Sequence, residues 1–119
     1  MKRNIAVIGG GYWGKNLVRN FAELGALHTI CDIDSSVIEK YRSQYPELRV
    51  RSDYRQVLQD NEVKGVVIAA PAVLHHPMAK AALLVGKDVF VEKPLALKVE
   101  DGHELVELAG EHGLSLIHI

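Results

Sequence analysis

Four glycines crowd into six positions, Gly9-Gly10-Gly11-Tyr12-Trp13-Gly14, directly after the short apolar run Ile5-Ala6-Val7-Ile8. This matches the pattern G-x-G-x-x-G between a strand and a helix. In that setting each glycine of the pattern has a physical task. Gly9 makes the tight turn out of the strand. Gly11 lets the backbone come close to a pyrophosphate, where a Cβ would collide. Gly14 permits close helix–strand packing. The N–H groups at the start of the helix and the positive end of its dipole then face the phosphates. Glycine-rich turns are common, so the pattern needs a second signal. Asp32 supplies it: the residue closes the next apolar stretch, Leu27 to Cys31, at the spacing of about 20 residues required of the acidic partner. A carboxylate there can accept both hydroxyls of an adenosine ribose and repels a 2′-phosphate, which favours NAD over NADP. The plain alternatives are a simple turn for the glycines and a helix-capping acid for Asp32. The coincidence of both signals in the right context favours a dinucleotide site.

The remainder of the chain alternates apolar runs with helical patterns, the signature of a parallel α/β sheet. Strands are expected at Ile5–Ile8, Leu27–Cys31, Leu48–Val50, Val66–Ala69, Val89–Val91 and Leu114–Ile119. Between them fall a helix ending near Gly25, a helix capped by Ser35 or Ser36 and running to about Gln44, and a short helix capped by Asp53. A helix from Met78 to Val85 and another closed by Gly113 complete the set. Asp34 is read as a cap or turn residue. Six strands and five helices fill a Rossmann-like doubly wound sheet in the order 3-2-1-4-5-6.

Composition narrows the function classes. The 119 residues suit one domain, and a net charge of -1 with scattered Lys and Arg argues against a nucleic-acid surface. No apolar run reaches the roughly 18 residues of a membrane span, and the N-terminus lacks signal-peptide features. The single cysteine, Cys31, reads as a buried strand residue and not as a reactive thiol. A cytoplasmic location is expected, with neither membrane nor nucleic acid as partner. No metal site is expected: His75 and His76 are adjacent and should point apart. His103-Glu104-Leu105-Val106-Glu107 lacks the second histidine of a zinc-protease helix.

The nicotinamide half of a dinucleotide should lie near the ends of strands four and five. Two stretches fall there: Ala69-Ala70-Pro71-Ala72-Val73-Leu74-His75-His76 and Val91-Glu92-Lys93-Pro94-Leu95. With Gly9 to Gly14 and Asp32, these give the sequence a resemblance to the N-terminal domain of the glucose–fructose oxidoreductase / inositol dehydrogenase / MocA family. The resemblance runs from Ile5 to about Leu114, and Glu92-Lys93-Pro94 is its most specific mark. It implies an NAD(P)-dependent oxidoreductase acting on a sugar, cyclitol or nucleotide sugar. It implies that Lys93 is the catalytic lysine touching a substrate hydroxyl, with Glu92 positioning it, and that Ala70, Pro71 and His75 line the nicotinamide side. It also implies a cis Lys93-Pro94 bond. Tyr12 and Trp13 either flank the cofactor or, for Trp13, pack beneath the loop. The plain reading of Lys93 is an exposed lysine paired with Glu92. The stretch Gly11 to Leu17 with Cys31-Asp32 is similar to members that oxidise UDP-sugars.

The family carries a second, substrate-binding domain that also builds its usual homo-oligomer, and this chain stops in or after the sixth strand. Residues 1–119 are therefore read as the N-terminal NAD(P)-binding domain. The ending Ser115 to Ile119 reads equally as an alternating strand and as translated sequencing-adapter read-through, and His118 is not read as catalytic. A fragment of this kind should be inactive alone. The competing reading is a stand-alone dinucleotide sensor that regulates a partner without chemistry. Glu92-Lys93-Pro94 discriminates, because a sensor has no need of it.

Overall fold

The computed structural model describes residues 3–11 and 14–118. Tyr12 and Trp13, expected near the cofactor, lie outside the described residues, as does Ile119. The strands are β1 (Ile5–Ile8), β2 (Leu27–Cys31), β3 (Arg49–Arg51), β4 (Gly65–Ile68), β5 (Asp88–Val91) and β6 (Leu116–His118). The helices are α1 (Gly14–Glu23), α2 (Ser35–Gln44), α3 (Tyr54–Leu58), α4 (His75–Leu84) and α5 (Val99–His112). All strand pairs are parallel, and the sheet order is β3-β2-β1-β4-β5-β6, as the sequence predicts.

The period-two alternation of strands divides the core into two layers. Ala6, Ile8, Val66, Ile68, Val89 and Val91 pack beneath α3, α4 and α5 through Val57, Met78, Ala79, Ala82, Leu83, Leu105 and Ala109. Val7, Ile30 and Val67 face the other way, against Val18 of α1 and Tyr41 of α2. Helices thus cover both faces. This explains why β4 is buried throughout and reads as an unbroken apolar run.

Three expectations shift. The cap of α2 is Asp34, which accepts from Ser36 N, and neither serine takes that place. An extended aspartate before a helix is among the best caps. Helix α4 begins at His75 instead of Met78, following a 3-10 turn over Ala72–Leu74. Two histidines and Pro77 hide its first turn from an apolar-periodicity reading. A proline there costs little, since first-turn N–H groups have no intrahelical partner. The third to sixth strands are Arg49–Arg51, Gly65–Ile68, Asp88–Val91 and Leu116–His118, each offset by one or two residues at an end from the expected bounds. Gly113 closes α5 in the left-handed conformation, with φ 64°. Among the described residues no helix is long and apolar enough to cross a membrane.

Candidate dinucleotide site

Parallel strands of a doubly wound sheet release their loops at one edge, and ligands bind outside the carboxyl ends where the order reverses. Here the reversal lies between β1 and β4. A cleft of about 730 Å³ opens there, lined by residues that follow β1, β2, β3, β4 and β5. That volume falls within the roughly 300–1,000 Å³ common to cofactor sites. Gly9, Gly11, Asp32, Ala70, Pro71, His75, Glu92 and Lys93 all line it.

The glycine loop is shaped by contacts that glycine alone permits. Gly9 has φ 94°, and a Cβ on it would sit 2.8 Å from the Ala69 carbonyl carbon and the Ala70 nitrogen. The loop therefore passes against the chain leaving β4. A Cβ on Gly14 would collide with the Gly9 carbonyl oxygen. Gly11 differs: it lines the cleft, and a Cβ on it would meet no protein atom within 4 Å. The chain itself leaves that space open, where the backbone can come close to a phosphate. This fits a dinucleotide pyrophosphate at the start of α1.

Asp32 holds the loop as well as facing the cleft. Gly10 N donates to its Oδ2 at 2.8 Å, and Asp34 N donates to its Oδ1 at 2.9 Å. An ionised carboxylate offers about four acceptor sites, so capacity remains for ribose hydroxyls. The other side of the Gly10 peptide is held too. The Tyr41 hydroxyl donates to Gly10 O at 2.8 Å, and a Cβ on Gly10 would strike the Tyr41 ring at 2.6 Å. Tyr41 is 3% exposed and stacks on Tyr45. Burial first, then the charges of Tyr45 and Asp32, push its hydroxyl above the usual tyrosine pKa, so it remains a donor. Cys31 is buried, and that burial, followed by the charges of Asp32 and Asp53, pushes its thiol up to about 12. Its thiol is therefore protonated at neutral pH and a poor nucleophile.

At the other end, Pro71 and Lys93 are exposed on opposing loops, and Glu92 is half-buried. The Lys93-Pro94 bond is cis, as the resemblance implied. Among the described residues no ion pair joins Lys93 to Glu92, so the plain pairing is not what this structure holds. His75 is 2% exposed, and both of its ring nitrogens contact backbone carbonyls. What it offers the cleft is position, not a free hydrogen bond. His76 points elsewhere, to Glu104 of α5 at 2.7 Å. Glu104 also pairs with Lys80 at 3.1 Å, and its carboxyl is held below its ordinary pKa, first by the His76 hydrogen bond and then by that of Lys80.

Sequence reasoning missed Tyr41, whose hydroxyl reaches the loop from 31 positions away, and also Ile33, Ser52 and Tyr54 on the wall near Asp32. No linear motif marks them. The one available signal is the apolar Ile33 directly after the acid, which the structure leaves exposed.

A glycine loop open at Gly11, an acid at the end of β2 and a cleft at the switch point define a dinucleotide-binding α/β domain. Comparison with known proteins makes this specific. Residues 3–118 match the model of the Gfo/Idh/MocA oxidoreductase family, NAD-binding Rossmann fold, and the chain belongs to that family. It is 40% identical over 116 residues to glycosyl hydrolase family 109 protein 2 of Shewanella sp. (strain ANA-3), covering 88% of this chain and 25% of that protein. The structure of GenD2 from gentamicin A biosynthesis in complex with NAD superimposes with TM-score 0.91 at 31% identity, covering 99% of this chain and 34% of GenD2. The WlbA dehydrogenase from Bordetella pertussis, in complex with NADH and UDP-GlcNAcA, gives TM-score 0.91 at 27% identity, covering 100% of this chain and 37% of WlbA. The chain thus spans a quarter to about a third of the length of these relatives. It is the NAD-binding domain of the family.

Proposed function

We propose that this chain supplies the cofactor half of an oxidoreductase that moves a hydride between a hydroxyl-bearing carbon and NAD. The substrate is a sugar, a cyclitol or a nucleotide sugar. The observation that carries this reading is the shared cleft: Gly11 and Asp32 follow β1 and β2, Pro71 follows β4 and Glu92 and Lys93 follow β5, on the two sides of the point where the strand order reverses. The backbone at Gly11 and the start of α1 would hold the pyrophosphate. Asp32 would take the adenosine-ribose hydroxyls and, by its charge, disfavour a 2′-phosphate, so NAD is preferred to NADP. Ala70, Pro71 and His75 would bound the nicotinamide, which accepts or returns the hydride when bound. Tyr12 and Trp13 are proposed as cofactor-binding residues on the motif alone.

Lys93 is the proposed catalytic residue. Oxidising an alcohol takes a proton from oxygen as well as a hydride from carbon. At the rim of the cleft Lys93 can orient the hydroxyl as the ammonium, and it can take or relay that proton only as the neutral amine, the form that the positive ring of bound NAD favours. Glu92, next in chain, would steer it. A stand-alone NAD sensor needs neither group, and that difference supports an enzyme. The substrate class rests on relatives named for carbohydrate chemistry, WlbA bound to UDP-GlcNAcA among them. The full-length protein is proposed to be a cytoplasmic homo-oligomer.

The test is Lys93→Ala in a full-length protein carrying this domain. General acid–base help is worth about 10²–10⁴-fold, so hydride transfer should fall by that order while NAD affinity changes by less than about twofold. Undiminished transfer would remove Lys93 from the chemistry and restore the sensor reading.

A further inference from the structure

At the amino ends of the strands, away from the dinucleotide cleft, the pairing of β1 with β2 is uneven. The register steps from Ile5–Leu27 to Ala6–Thr29, so His28 is an extra residue in β2. Bulges of this kind re-aim a side chain. Here the imidazole reaches the turn before β4, where Nε2 lies 2.8 Å from Glu62 Oε2. His28, Asp60 and Glu62 each offer a ligand atom, and these atoms lie within 4.8 Å of one another. Two ligands about 2.0–2.2 Å from a tetrahedral zinc ion are roughly 3.3–3.6 Å apart, so small side-chain shifts close the set. No linear spacing marks the group, since His28 and Glu62 are 34 positions apart.

The surroundings hold these side chains in place. Glu62 N donates to Asp60 Oδ1 at 2.9 Å. Lys87, 5% exposed, donates from Nζ to the Asp60 and Val63 carbonyl oxygens at 2.9 and 2.6 Å, which fixes the turn between them. On the other side of the imidazole, Nδ1 lies 2.6 Å from the hydroxyl of buried Thr29. A hydroxyl both donates and accepts. It can donate to Nδ1 while Nε2–H meets Glu62, or accept from Nδ1–H while Nε2 presents a lone pair. The second arrangement is that of a metal-ligating histidine with its orienting partner.

We infer that His28, Asp60 and Glu62 form a site for a zinc-class divalent ion, which clips the start of β2 to the turn leading into β4. One imidazole and two carboxylates suit such an ion, whereas magnesium and calcium take oxygen ligands. Three protein ligands leave a fourth position to water. The two carboxylates balance the ion's charge, and Lys87 and Lys64 oppose it. Burial, and after it the charge of Asp60 in the opposite sense and that of Lys64, leave the Lys87 ammonium below the usual lysine pKa. Among the described residues His76, Asp101 and Glu104 also come together. There the Lys80 ammonium already holds Glu104 at 3.1 Å and competes with an ion. The His28 site lies at the opposite end of the sheet from the cleft, so it stands or falls apart from NAD binding.

The test is a calorimetric titration of the metal-stripped chain with zinc chloride and with magnesium chloride. One equivalent of zinc should bind with a Kd below about 100 µM, and magnesium should not saturate. His28→Asn and Glu62→Gln should each weaken zinc binding at least about tenfold, and His76→Ala should leave it unchanged. The Glu62 side chain is 70% exposed, so Glu62→Gln keeps the fold even where His28→Asn does not. Zinc should also raise the melting temperature of the unsubstituted chain more than that of Glu62→Gln. No saturable zinc binding, or binding untouched by Glu62→Gln, would reduce His28 and Glu62 to a plain ion pair and overturn the site. Equal affinity for magnesium would overturn the zinc class.

Discussion

The Gly10 peptide is gripped from both sides, its N–H by Asp32 and its carbonyl by Tyr41. Asp32 therefore shapes the glycine loop, in addition to its proposed role toward the ribose. Asp32 was legible in the sequence as a site residue, because an acid at a fixed distance from the glycines is part of a linear fingerprint, but its bond to the Gly10 N–H was not. Tyr41 was not legible, because a helical tyrosine facing a core has the same local pattern whether or not its hydroxyl reaches a carbonyl. The structure makes a specific prediction. Tyr41→Phe keeps the ring stacked on Tyr45 and removes one neutral hydrogen bond, worth about 0.5–1.5 kcal/mol. NAD affinity should fall about two- to tenfold, measured by titration, with only a small drop in melting temperature. A Phe variant that binds NAD normally would show that the ring packing suffices and the hydroxyl does not hold the loop.

Glycine loop and helix α1 form a unit in which two glycines do opposite things. Gly14 is closed in by the Gly9 carbonyl, whereas Gly11 opens on the cleft. Gly14→Ala should lose about 1–3 kcal/mol or more of stability, as overpacking does. Gly11→Ala should fold with a near-normal melting temperature and bind NAD poorly. Denaturant melts read beside NAD titrations separate the two. A Gly11 variant that melts early but binds normally once folded would make that glycine structural only. The sequence showed both roles because the spacing of the motif encodes them. It hid the start of α4, where His75, His76 and Pro77 lack an apolar face. His75 is committed to two carbonyls from loops on different strands, and only the tertiary fold brings those together.

Strand order, doubly covered sheet and cleft position were all legible, because alternating apolar runs and short connections leave few topologies for a parallel sheet. The cleft's outer boundary was not. Pro71 and Lys93 are exposed, and the chain spans about a third of GenD2 and of WlbA. Productive hydride transfer requires the reacting carbon to be held about 3–3.5 Å from its acceptor, and a substrate on an open rim is not held. The chain alone should accordingly bind NAD without turning over an alcohol. The most direct measurement is a calorimetric titration of the chain with NAD and with NADP, repeated for Asp32→Ala. Charge-assisted hydrogen bonds of about 1.5–3 kcal/mol correspond to roughly ten- to a hundredfold in affinity. Since Asp32 also holds the loop, the informative quantity is the ratio of the two affinities. Saturable NAD binding is expected, at least about tenfold tighter than NADP, with the gap closing in the alanine variant. No binding, or equal affinity for both cofactors in the unsubstituted chain, would contradict it.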